Sequence, residues 1–307
     1  MPLQNSFMRI VFFGTPDFAV PSLKILVDNG YTIAAVVTVA DKPSGRGLQL
    51  HESPVKKFAV ANSIKVLQPI KLKDENFIAE LKSLNADLFI VIAFRMLPEM
   101  VWTMPPIGTF NLHGSLLPKY RGAAPINWAI MNGEKETGVT TFFLKHAIDT
   151  GDILLQQKIE IAESMNAGEL HDKMMLVGAD VVLKTVRLIE TKNYQLQSQT
   201  GEIIHAPKIF KDDCKINWNQ SVEQVNNFIR GLSPYPAAFT DLNGKVLKIF
   251  SGKKNIQPVE HEVGSYITNH KSFLKFACID GYFEVENLQL EGKQKMYVQD
   301  FLRGWRN

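Results

Sequence analysis

The strongest constraint on this chain is an alternation in its first hundred residues between continuously apolar runs and segments of helical spacing. Arg9–Phe13, Ile33–Val39 and Asp87–Ala93 (DLFIVIA) carry apolar side chains at nearly every position, as strands do when both faces are covered. Between them, Phe18–Asn29, Val55–Asn62 and Asp74–Leu84 repeat apolar residues with helical period, and Lys65–Leu67 adds a short strand. A half-solvated antiparallel sheet would instead show strict apolar–polar alternation. The pattern therefore predicts an α/β domain with a Rossmann-like, doubly wound, mostly parallel sheet. Thr109–His113 and Thr137–Lys145 extend the sheet, and Gly168–Ile189 reads as a long amphipathic helix, so the first domain is expected over 1–190.

Residues 191–208 are polar, with a Gln/Ser/Thr-rich stretch and Ala206-Pro207, and read as a linker crossing the surface. After a helix-like segment, Val222–Leu232, short strands lie between the turn signals Asn243-Gly244, Ser251-Gly252, Asp280-Gly281 and Glu291-Gly292. That pattern predicts a smaller antiparallel β-barrel over 209–307. A chain of 307 residues with 45% hydrophobic content can fill both cores.

Composition narrows the function classes. A net charge of +3 and a pI near 8.7 neither demand nor exclude a polyanionic partner. Cys214 and Cys278 cannot make a disulfide framework and fit a reducing compartment, and neither lies at metal-ligand spacing from histidines, so no metal is expected. The start lacks a basic and apolar leader pattern, and no apolar run reaches the length of a membrane span. A soluble, cytoplasmic protein without membrane attachment is expected, acting as a monomer.

Two glycine-containing turns invite functional readings. Gly14-Thr-Pro-Asp17 follows the first strand but lacks the three glycines of a dinucleotide fingerprint, while Pro16 and Asp17 suit a helix start, so no ligand is needed to explain it. Asp149-Thr-Gly151 matches the aspartic-protease triplet, yet that chemistry needs two facing carboxylates and this α/β chain offers one copy. By itself the segment reads equally well as a turn.

The most informative stretch begins at Phe110-Asn-Leu-His113. Asn111 and His113, two apart on a strand, project from one face at the end where open α/β sheets place their sites. An imidazole near neutral pH takes a proton, and an amide N–H stabilises an oxygen becoming negative. N-x-H alone is a weak signal. The long irregular segment Gly114–Ile126, immediately after it, is not required by strand or helix packing.

FNLHGSLLPKYRGAAPINWAI resembles the signature of folate-dependent formyltransferases, and Lys145-His-Ala-Ile-Asp-Thr-Gly-Asp152 resembles that family's acidic turn. The resemblance implies Asn111, His113 and Asp149 as catalytic residues, with Asp149 orienting His113, and 10-formyltetrahydrofolate as co-substrate. It places the pterin ring against Ser115, Leu116, Leu117 and Pro118 and near Phe94. The RGAAPI after SLLP is most similar to the branch acting on a charged tRNA, which implies methionyl-tRNA as acceptor for translation initiation. Asp41-Lys-Pro-Ser-Gly-Arg-Gly-Leu48 is similar to that branch's basic loop, making Arg46 and Lys42 candidate RNA contacts.

The resemblance continues through Ala206-Pro-Lys-Ile-Phe-Lys211, Ile216-Asn-Trp218 and Ile229–Phe239, and implies an OB-like, tRNA-binding second domain. Charge supports this only weakly, with 14 lysines and arginines against 12 acidic residues from 201 to 307. Trp218, Tyr235 and Phe239 fit an aromatic core better than RNA stacking. Two alternatives keep the first domain: formylation of an amino sugar nucleotide, or hydrolysis of formyl-folate. The end at Asn307, without a dehydrogenase or carrier domain, is expected of a stand-alone transferase. A binding protein on the same layers would lack turnover altogether.

Overall fold

A computed structural model describes residues 8–44 and 49–305. In chain order the elements begin with β1 (Arg9–Gly14), α1 (Val20–Asp28), β2 (Thr32–Val37), β3 (Lys42–Ser44), β4 (Gln49–His51), α2 (Pro54–Ala61), β5 (Val66–Leu67) and α3 (Glu75–Ser83). Next come β6 (Leu88–Ile92), α4 (Glu99–Trp102), β7 (Gly108–His113), β8 (Arg121–Gly122), α5 (Pro125–Met131), β9 (Glu136–Phe143), β10 (Ile153–Glu160), α6 (Ala167–Glu190) and β11 (His205–Ala206). The remainder is α7 (Val222–Leu232), β12 (Ala238–Leu242), β13 (Lys245–Asn255), β14 (Tyr266–Thr268), β15 (Leu274–Ala277), β16 (Tyr282–Leu290), β17 (Met296–Tyr297) and α8 (Val298–Gly304).

Packing groups these into two units. The first comprises the chain through Arg121 with Gly138–Ile159 and Asp172–His205; the second comprises Gly122–Thr137, Glu160–His171 and the chain from Ala206.

The first unit is Rossmann-like. Its seven-stranded sheet has the order β10-β9-β7-β6-β1-β2-β5, with β5, β2, β1, β6 and β7 parallel and β9 antiparallel to β7. All five residues of β6 are buried, which explains their continuous apolar character. On one face Phe13, Phe89 and Val91 meet Phe77, Ile78 and Leu81 of α3. On the other, Gly178 of α6 faces Leu112 so closely that an added Cβ would sit 2.7 Å from Leu112 Cδ2. Local chemistry sets the helix starts: Ser53 accepts from the Lys56 N–H at 3.1 Å, and Asp74 from the Phe77 N–H at 3.1 Å. At the first glycine turn Asp17 accepts from the Phe18 N–H at 3.0 Å, in line with the helix-start reading.

The second unit is an antiparallel, OB-like half-barrel of order β12-β13-β16-β15-β14, with β17 on β16. Helix α7 buries Val222, Val225, Ile229 and Leu232 in this core, and a reciprocal Ser221–Gln224 capping box begins it. Gly231 lets α5 lie against α7, because a Cβ there would be 3.0 Å from the Met131 nitrogen.

Three expectations change. Ser251-Gly252 is no turn: it lies inside the eleven-residue β13, where the register with β16 shifts and a Cβ on Gly252 would be 2.4 Å from the Glu284 carbonyl oxygen. The loop after β2 is partly regular, since Lys42–Ser44 pairs with Gln49–His51. Trp218 stacks on Phe276 at 4.5 Å and Phe239 packs on the same core, but Tyr235 is 84% exposed and not a core residue.

Candidate active site

Strand β7 carries Asn111 and His113 through the middle of the first unit's sheet. Asn111 lies in register with Val91 of β6 and Phe142 of β9, and His113 with Thr140 of β9. Because side chains alternate, both point away from the face on which Leu112 meets α6. His113 is 7% exposed. Its Nε2 is 2.8 Å from the carbonyl oxygen of Tyr120, which can only accept, so Nε2 carries the hydrogen. That leaves Nδ1 as the nitrogen facing the carboxylate of Asp149, at 3.8 Å from Oδ2. The gap is an ion-pair distance, longer than a hydrogen bond. Asn111 is half-buried, and its amide has no hydrogen-bond partner among the described residues.

The segment after β7 is a pinned turn. Thr140 is its hub: its hydroxyl donates to the Ser115 carbonyl at 2.6 Å and accepts from the Leu117 N–H at 3.2 Å and the Gln156 amide at 3.0 Å. Gln156 also donates to the Leu117 carbonyl at 2.9 Å. The Ser115 hydroxyl donates to the Lys119 carbonyl at 2.6 Å, and Ser115, Leu117 and Pro118 are buried while Leu116 is half-buried. Within the described structure these residues build the turn that presents the Tyr120 carbonyl to His113. Neither Thr140 nor Gln156 stands out in the sequence, because each is polar on an otherwise ordinary strand.

Asp149 sits at the tip of the 145–152 turn with φ +54°, a left-handed conformation uncommon outside glycine and more accessible to Asp and Asn than to other side chains. Gly151 allows the turn to close, since a Cβ there would fall 1.6 Å from the Phe143 carbonyl oxygen. Lys145 and Asp152 pair across its base at 2.9 Å. Its tip is held by Gln199, whose Nε2 lies 2.8 Å from both the Asp149 and Gly151 carbonyl oxygens. The segment expected to cross the surface as a linker is thus bonded to this turn. Ile153 and Gln197 also exchange backbone hydrogen bonds of 2.8 and 3.0 Å. Polar composition hid this because Gln199, which bonds the turn's backbone, is of the same polar type as the exposed residues around it.

The other expected residues are more scattered. Phe94, at the end of β6, is half-buried and edge-on to Phe13 at 5.7 Å, with the Arg95 guanidinium 5.6 Å from its ring centre. Lys42 begins β3, and Arg46 lies outside the described residues. Among the described residues no group of three His, Cys, Asp or Glu side chains is placed to hold a metal ion, and no helix is long and apolar enough to cross a membrane. In the second unit a cavity of about 380 Å³ is lined by residues including His261, Phe273, Lys275 and Tyr282, none of them expected from sequence.

A carboxylate behind an imidazole balances the positive charge that forms when the ring takes a proton, and an amide N–H beside it stabilises a developing oxyanion. Asn111 and His113 share one face of β7 and Asp149 lies opposite His113, so an acid–base group and an amide donor stand at one strand end.

The chain matches the family model described as formyl transferase over residues 8–186 and that described as formyl transferase, C-terminal domain, over 208–306. It is 52% identical over 313 aligned residues to a methionyl-tRNA formyltransferase of Parabacteroides distasonis, covering 97% of this chain and 96% of that one. A protein of the same name from Phocaeicola vulgatus is 53% identical over 316 aligned residues, covering 99% and 98%. Among solved structures, an N-formyltransferase from Helicobacter canadensis, in complex with folinic acid and dTDP-3-aminofucose, superposes with a TM-score of 0.69 at 21% identity, covering 94% of this chain and all of its own.

Proposed function

The chain belongs to the formyl transferase family, and from that premise we propose that it moves the formyl group of 10-formyltetrahydrofolate to the α-amino group of methionyl-tRNA, supplying initiator tRNA for translation. The observation that carries the acceptor is identity above one half, over nearly the whole chain, to proteins named for this reaction. The donor chemistry is supported by the grouping of Asn111, His113 and Asp149 around one strand end.

In this reading the substrate amine attacks the formyl carbon. His113 Nδ1 takes the proton the amine loses, directly or through a water, and Asp149 balances the imidazolium. The Asn111 amide and the protonated ring stabilise the tetrahedral oxyanion, which collapses as the imidazolium passes its proton, directly or through a water, to N10 and tetrahydrofolate leaves. The pterin ring rests against Ser115–Pro118 and Phe94, with backbone groups supplying polar contacts because the Ser115 hydroxyl is already engaged. Residues 1–190 carry the reacting groups, 191–208 connect while bonding the Asp149 turn through Gln199, and 209–307 bind tRNA. Arg46 and Lys42 contact RNA phosphates, and the enzyme works as a cytoplasmic monomer without a metal.

The test is formyl transfer from 10-formyltetrahydrofolate with methionyl-tRNA, uncharged tRNA or an amino sugar nucleotide as acceptor. Transfer to methionyl-tRNA alone is expected. Transfer only to the sugar would overturn the acceptor, and release of formate alone would make the protein a hydrolase.

A further inference from the structure

Gln199 connects the two segments that hold the two nitrogens of the His113 ring. On one side its Nε2 donates to the carbonyls of Asp149 and Gly151, both at 2.8 Å. On the other, its Oε1 accepts from Arg121 at 3.1 Å through Nε and 2.6 Å through Nη2. Arg121 directly follows Tyr120, whose carbonyl binds His113 Nε2, and Asp149 faces His113 Nδ1. The Arg121 N–H also donates to the Ile204 carbonyl at 2.9 Å, so the segment bearing Gln199 is attached on both sides of it, at Gln197 and at Ile204.

A primary amide suits this place. Two carbonyls require donors and a guanidinium requires an acceptor, and an amide presents two N–H groups on one atom and an oxygen beside it. A carboxylate would satisfy Arg121 but set a negative oxygen against two carbonyls. An ammonium would reverse the conflict. We propose that Gln199 is a positioning residue of the formyl-transfer centre, holding the Asp149 turn in its left-handed conformation so that the carboxylate stays opposite His113 Nδ1. The proposal deepens the assignment of Asp149 to catalysis and rests on it.

The test compares Gln199→Ala and Gln199→Glu in the full-length protein, each alone and combined with Asp149→Asn. Gln199→Glu keeps the size and the Arg121 contact, so it remains informative if the alanine variant fails to fold. Each single variant is expected to lose about ten- to a hundredfold in kcat, the scale of a misplaced reacting group. KM for both substrates should stay within about twofold, and the pH profile of kcat should shift. Added to Asp149→Asn, neither should reduce the rate further, because a residue acting through Asp149 has nothing left to position. An unchanged kcat, a loss residing in KM, or an equal loss in the Asp149→Asn background would overturn the proposal. Wild-type turnover in Asp149→Asn itself would instead overturn the catalytic assignment beneath it.

Discussion

The two halves of the proposed centre are held by different physics. Asn111 and His113 ride on β7, whose backbone is bonded to β6 on one side and β9 on the other, so their direction is set by strand pleat and register. Asp149 rides on a turn whose supports include one glycine, a Lys145–Asp152 pair, the Thr150 hydroxyl on the Ala147 carbonyl and the Gln199 amide. The strand half will tolerate change in its surroundings that leaves the sheet intact. The turn half will not, because no ladder of repeated hydrogen bonds enforces a left-handed φ at Asp149.

The largest effect should come from the three residues proposed as catalytic. Single alanine variants of Asn111, His113 and Asp149 are expected to lower formyl-transfer kcat by about 10²–10⁴-fold, measured at saturating substrates. Near-wild-type rates for all three would remove the centre altogether. Gly151→Ala probes the turn half: its Cβ would collide with the Phe143 carbonyl, so stability should fall by about 1–3 kcal/mol or more in denaturant titration and kcat should fall with it. If kcat survives that displacement, the turn is not the sensitive half.

Thr140→Val tests the support of the strand half. Removing the hydroxyl strands the Leu117 N–H and takes a partner from Gln156, at an expected cost of about 1–3 kcal/mol and a smaller drop in kcat than Gly151→Ala. On the opposite face, Thr185 of α6 shares a 2.8 Å hydroxyl contact with Thr141 of β9. Thr185→Val should cost about 1 kcal/mol and leave kcat unchanged, since that face lies opposite the one bearing Asn111 and His113. The smallest effect is one of pH. Burial, followed by the Glu190 carboxylate, pushes the Tyr31 phenol up to about 12. The folded protein therefore keeps a proton that the unfolded chain releases near the usual 10.0, and stability should decline as pH rises from there towards 12. Tyr31→Phe should flatten that decline in melting curves without altering the rate.

How much was legible in the sequence differs between the same two regions. Strand β7 was readable because a buried parallel strand shows as an apolar run and its period of two places Asn111 and His113 on one side. The acidic turn was readable only as a resemblance, since Asp, Thr and Gly in a row satisfy many turns. Gln199 was not readable at all. It lies fifty residues from Asp149 in a stretch whose polarity matches any surface connection, and only the 2.8 Å approach to two carbonyls distinguishes it.

By itself the sequence determined the doubly wound layers, the antiparallel second region and helix α7, because burial periodicity and capping residues are local properties that chain order preserves. It also marked the candidate strand end and, by resemblance, the reaction class. Only the tertiary structure decided which nitrogen of His113 faces Asp149, that Ser251-Gly252 lies inside a strand, that Tyr235 is exposed, and that Gln199 of the expected linker bonds the Asp149 turn. Each of these depends on contacts between segments far apart in the chain, and no local pattern encodes a distance between them.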